Sequence, residues 1–193
     1  MAVLILGLLI FLGAHSVRIL APDWRAAQVA RLGENAWKGR YSLASAVGLA
    51  LIVWGYGQAR IASPADLWLP PIWTRHLAAL LVLPAFVLIT AAYVPGTRIK
   101  AALHHPMVLG VKLWAAAHLL ANGRLADLLL FGGFLLWAVL DLRSARGRDR
   151  AAGTVYASGS ASRDVLAIAI GTLAWALIAF WAHAWLIGVA PLG

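Results

Sequence analysis

Apolar stretches long enough to cross a lipid bilayer recur from Met1 to the end of the chain, and most of its few charges fall between them. A bilayer core holds no water to satisfy backbone N–H and C=O groups, so each stretch must close its own hydrogen bonds as a helix. The expected fold is therefore all-α, an integral membrane bundle forming one domain over residues 1 to 193. Six spans can be drawn, near residues 2 to 20, 41 to 59, 77 to 94, 107 to 122, 125 to 142 and 165 to 189. Each is close to the roughly 20 residues that the hydrocarbon core requires. The fourth is the shortest, and Lys112 interrupts it.

The positive charge has an address. Of sixteen Lys and Arg residues, twelve lie in the first, third and fifth connections, counting Arg18 at the cytoplasmic end of the first span, three (Arg60, Arg75 and Arg124) in the second and fourth, and Lys112 within a span. Cytoplasmic loops retain cations, so the odd-numbered connections should face the cytoplasm and both termini should face away from it. The net charge of +9 is thereby explained without nucleic acid, whose binding would need an aromatic face interleaved with the cations. The first apolar run has no basic segment before it and no small-residue cleavage site after it, so it reads as a span and not as a cleaved signal.

The connections have structure of their own. Pro22 can open a short interfacial helix over residues 22 to 33, with Trp24 and Leu32 toward lipid, Arg25 and Arg31 toward water, and Gly33 as its stop. Ser63-Pro64-Ala65-Asp66 has the spacing of a second short helix start. Trp24, Trp37, Trp68 and Trp73 fit an aromatic belt at the membrane boundary. Residues 143 to 164 read as a basic, Gly/Ser-rich cytoplasmic linker, mobile by composition. Within the spans, Gly48, Gly55 and the Gly132-Gly133 pair should let backbones approach closely, and Pro84 should kink the third span.

Chemistry must come from polar groups at membrane depth, which are costly and seldom idle. The candidates are His15 and Arg18 in the first span, His76 opening the third, His104 and His105 before the fourth, Lys112, His118 and Asn122 within it, and His183 in the sixth. Cysteine is absent and no carboxylate lies in a span interior, which argues against thiolate metal sites, paired-carboxylate catalysis and a Ser-His-Asp triad. What remains is imidazole ligation, of haem iron, copper or zinc. His76, His104 and His183 suit interfacial hydrogen bonding, whereas His15 and His118 are flanked by apolar residues and suit a ligand role. Asn122 suits a helix-end cap.

Leu12-Gly13-Ala14-His15-Ser16, Lys38-Gly39-Arg40-Tyr41-Ser42, the run from His105 to Gly123 and the closing segment His183 to Val189 resemble the NnrU family of bacterial membrane proteins over essentially the whole chain. The resemblance implies a multi-pass protein of the bacterial inner (cytoplasmic) membrane, linked to denitrification and nitric-oxide metabolism. The family is similar in turn to the plant and cyanobacterial 15-cis-zeta-carotene isomerase, a membrane enzyme that turns a carotenoid double bond with histidine-ligated haem b. By that similarity His15 and His118 match proposed haem ligands and His105 a further important histidine, and Arg18 and Lys112 become cations for the haem propionates. The isomerase carries a cysteine three residues before the fourth-span histidine; here that position is Ala115, so exchange of the ligand to a thiolate is not available.

Geometry bears on which histidines can act together. His105 and His118 are thirteen residues apart, about 20 Å along a continuous helix, and cannot bind one iron unless that helix breaks. Depth along the spans puts His15 about 9 Å and His118 about 18 Å from the same face, which favours pairing His15 with His105. Three functions stay open: a haem-dependent cis-trans isomerase acting on a lipophilic polyene, a haem or metal accessory protein that handles nitric oxide, and a scaffold without cofactor.

The orientation is testable because the chain has no cysteine of its own. A Ser158→Cys variant in intact cells is expected to resist a membrane-impermeant maleimide and to label once the inner membrane is permeabilised. Labelling of intact cells would reverse the topology.

Overall fold

A computed structural model describes residues 1–62 and 66–192. Among these residues the structure is helical, with two isolated β-bridges and no strand. The helices are α1 (Ala2–Leu20), α2 (Pro22–Leu32), α3 (Glu34–Ala62), α4 (Trp73–Tyr93), α5 (Arg98–Leu103), α6 (Pro106–Ala121), α7 (Leu125–Ala152), α8 (Ala161–Leu177) and α9 (His183–Ile187), the last two joined by a π-helical turn at Ile178–Ala182. Five helical stretches, α1, α3, α4, α7 and Ala161–Ile187, are long and apolar enough to cross a membrane; α6 is a shorter apolar helix. The expected spans and the interfacial helix opened by Pro22 are thus helical. The helix start expected at Ser63-Pro64-Ala65-Asp66 falls on residues outside those described.

Two boundaries differ most from the hydropathy reading. Helix α3 begins at Glu34, seven residues before the apolar run, where a Glu34–Lys38 ion pair of 2.8 Å spans one turn. Helix α7 continues ten residues past Leu142, so the first half of the expected linker is helix. Arginine and alanine are good helix formers, and Arg148 reaches back to Ser144 and Asp141 on the preceding turns. The remainder is tied down, with Ser160 N–H donating to the Gly96 carbonyl at 2.9 Å and Ile99 N–H to Asp164 at 3.2 Å. Hydropathy sees where the apolar run ends, not where the helix ends.

The chain divides into two compact units, residues 1–67 with 124–133, and residues 68–123 with 134–193. In the first, α1 packs antiparallel on α3 by direct backbone contact. A Cβ on Gly7 would stand 2.6 Å from the Ile52 nitrogen, one on Gly48 2.7 Å from the Phe11 nitrogen, and one on Gly55 would strike the backbone of Leu4. Gly48 and Gly55 therefore do what their spacing suggests, joined by Gly7. The Gly132-Gly133 pair does not: its neighbours are the ends of leucine side chains, with Leu12 Cδ1 at 3.4 Å from a Cβ on Gly133. Two adjacent glycines face directions about 100° apart on a helix, so they cannot form one flat contact face as a seven-residue spacing does.

The second unit uses the same device. Gly110 of α6 lies against the Ala85 carbonyl and Ile89 of α4, and Gly171 of α8 lies against Val87, whose Cα would be 2.7 Å from an added Cβ. Trp175 of α8 donates its indole N–H to the Ala79 carbonyl of α4 at 3.0 Å. Helix α4 stays helical through Pro84.

Substitutions on α3 separate packing from propensity. Nothing lies within 4 Å of a Cβ on Gly57, two residues beyond Gly55. Gly55→Ala should lower the stability of the detergent-purified protein by about 1–3 kcal/mol through overpacking, while Gly57→Ala should be neutral or raise it by up to about 1 kcal/mol. Equal thermal unfolding midpoints for the two variants would refute backbone contact between α1 and α3.

Candidate functional site

Each histidine can be followed from its local backbone to its ring. His15 sits on α1 with Nδ1 2.7 Å from the Phe11 carbonyl, its ring stacked on Phe11 at 4.2 Å and tilted against Tyr41 at 5.1 Å. His118 repeats the arrangement on α6, with Nδ1 2.8 Å from the Trp114 carbonyl and the Trp114 ring at 5.1 Å. Trp114 is itself held edge-on by Phe134 at 5.6 Å. A carbonyl oxygen can only accept, so in both rings Nδ1 carries a proton and, in the neutral form, Nε2 carries the lone pair. That is the tautomer of a histidine prepared to ligate a metal through Nε2.

The other histidines differ. His183 also donates from Nδ1, at 2.7 Å, but to the Val189 carbonyl six residues ahead, across the turn at Gly188 that ends α9. Its bond ties the turn that follows α9 back onto the His183 ring. His76 is exposed in the first turn of α4. Asn122 donates to the His118 carbonyl at 2.8 Å and so satisfies an orphan carbonyl at the end of α6, the expected cap.

His105 belongs to a different constellation. It is the residue before α6, and its Nε2 lies 2.8 Å from Oδ2 of Asp149, 44 residues away on α7. The same oxygen accepts the Tyr156 hydroxyl at 2.8 Å. The Tyr156 ring stacks face to face on His104 at 4.2 Å and stands edge-on to His105 at 6.3 Å. Burial, reinforced by the neighbouring carboxylate, raises the Tyr156 pKa above the usual phenol value, so it remains a donor at neutral pH. Helix α6 runs unbroken from Pro106 to Ala121, which keeps His105 about 20 Å from His118. The sequence singled out His105 but not Asp149 or Tyr156. Both lie in a stretch whose composition reads as linker, and only the continuation of α7 brings them to His105.

The cations and small residues complete the inventory. Arg18 and Lys112 are both exposed. Lys112 is not buried as its mid-span position suggests: it stands two residues from Gly110, about 200° round the helix from the face on α4. Ala115, at the position of the isomerase cysteine, is wholly buried.

A carboxylate also went unread. Asp127, 3% exposed near the start of α7, accepts the Tyr56 hydroxyl at 2.6 Å and the Arg124 N–H at 3.1 Å. The second bond is one half of a capping box, and the three-residue spacing to Arg124 was its available signal.

As a donor set for haem, the chain offers neutral imidazoles on apolar helices with aromatic rings beside them, and no thiolate to compete. His15 and His118 fit that group; His105, whose Nε2 is bonded to a carboxylate, fits it less well. Among the described residues no cluster of three or more His, Asp or Glu forms a metal cage.

No curated protein and no solved structure matches the chain. A family model does, that of the NnrU protein, over residues 3–191. That match takes in every histidine from His15 to His183 and nearly the full length of the chain, which belongs to the NnrU family.

Proposed function

We propose that this NnrU family member is a membrane haem protein of nitric-oxide metabolism, in which His15 and His118 are the imidazoles that would hold haem, each through its Nε2. The observation that carries the reading is the matched pair of Nδ1 bonds to carbonyls four residues back, at 2.7 and 2.8 Å. Neither bond is needed to cap a helix, since both carbonyls are inside helices. Their effect is to hold ring orientation and proton position. When bound, haem b supplies an iron able to take a small diatomic ligand such as nitric oxide.

The chain's own residues supply the setting. Trp114 and Phe134 place apolar surface beside His118, and Phe11 and Tyr41 do so beside His15. Arg18 and Lys112 are exposed cations suited to carboxylate side arms. A turnover role on a lipophilic polyene is less well supported, because the thiolate of the isomerase scheme is replaced by a buried alanine.

Detergent-purified protein reconstituted with haemin should show a Soret band that shifts on reduction and again on addition of nitric oxide. His15→Ala and His118→Ala should each lose most of the bound haem, while His183→Ala should keep it. A wild-type protein without a Soret band, or both ligand variants retaining a normal one, would overturn the reading.

A further inference from the structure

Beside the His105–Asp149 contact lies an open pocket of about 330 Å³, lined by His104, Arg146, Asp149, Arg150, Gly153 and Thr154. Its electrostatics are one-sided. Arg146 and Arg150 are four residues apart on α7, so they share a face, both are exposed, and neither has an ion-pair partner among the described residues. Like charges at that spacing repel unless an anion lies between them. The carboxylate in the lining, Asp149, is already engaged through Oδ2 by His105 and Tyr156. Asp141, the other acidic residue on that part of α7, faces Arg148.

The backbone on the opposite wall is strained. His105 N–H reaches the Leu103 carbonyl at 2.7 Å across His104, whose φ of 64° and ψ of −49° make a γ-turn of the rare, strained hand. His104 is the only residue other than glycine with positive φ among the described residues. Its ring is held flat against Tyr156, with 1° between the planes. Strain of this kind persists where a side chain must be presented in one place.

Position along the membrane normal narrows the ligand. Arg146 and Arg150 stand four and eight residues past the last apolar residue of the span, about 6 and 12 Å along the helix. The headgroup layer occupies roughly 5–8 Å beyond the hydrocarbon, so Arg146 lies near its outer edge and Arg150 about 4 Å past it, on the water side. His104 enters from the other side, two residues before α6 begins.

We propose that this pocket binds a phosphate ester, the headgroup phosphate of an anionic phospholipid, between the Arg146 and Arg150 guanidiniums and the His104 ring. Planar guanidiniums match phosphate oxygens in bidentate geometry, and the Thr154 hydroxyl adds a neutral donor. The site is independent of haem, since none of its lining residues is His15 or His118.

The test is native mass spectrometry of the full-length protein in detergent, titrated with phosphatidylglycerol, phosphatidylcholine or inorganic phosphate. The wild type should retain phosphatidylglycerol in preference to phosphatidylcholine. The double variant Arg146→Gln/Arg150→Gln should weaken that retention about thirtyfold, the effect of two cations at an anionic surface. Arg143→Gln/Arg163→Gln, which removes the same charge from exposed positions outside the pocket, should change it little. His104→Ala, which leaves α7 untouched, should weaken it severalfold, and circular dichroism checks that each variant keeps its helices. Displacement of the lipid by inorganic phosphate would keep the phosphate chemistry and assign the source to the free ion. Equal retention of both lipids with no binding of inorganic phosphate, or equal losses in the two double variants, would overturn the proposal.

Discussion

The constraint on which everything else rests is that a backbone in hydrocarbon must satisfy its own hydrogen bonds. It makes the chain helical, and it removes the hydrophobic effect as a force between helices, because lipid is as apolar as leucine. What remains is close contact, and close contact needs small residues. Gly7, Gly48 and Gly55 bring α1 onto α3, and Gly110 and Gly171 bring α6 and α8 onto α4, in each case with a backbone atom of the neighbouring helix where a Cβ would need room.

Such packing leaves few polar groups at depth, and the two apolar-flanked histidines among them are anchored locally. His15 and His118 use the carbonyl one turn behind them, so their tautomer and orientation follow from helix geometry. His105 is anchored at long range instead, by a carboxylate that shares its oxygen with a phenol. The first arrangement suits a metal ligand and the second a positioned hydrogen-bond cluster at a helix start. One residue type is thus held in two ways, by a carbonyl one turn back or by a distant carboxylate.

Those two arrangements also separate what could be read from what could not. A carbonyl four residues back is within reach of a histidine inside a helix, as His15 and His118 show and His183 does not, and apolar flanks mark His15 and His118 as the ones at depth. Asp149 and Tyr156 had no comparable mark, being charges and hydroxyls in a basic, glycine-containing stretch. Their significance depends on α7 continuing ten residues beyond its apolar run, which hydropathy does not report because arginine sustains a helix as readily as it ends a span.

The sequence by itself determined the helical class, the apolar segments and the short helix opened by Pro22, because these depend on composition and periodicity along the chain, and the family, because its motifs are local stretches of sequence. The seven-residue spacing of Gly48 and Gly55 was legible for the same reason. Only the tertiary structure decided that Gly7 completes that contact, that the Gly132-Gly133 pair meets side chains, that Lys112 is exposed, and that His104, His105, Asp149 and Tyr156 meet. Each of those depends on which face of a helix meets a neighbour, and a local pattern constrains periodicity without naming the partner.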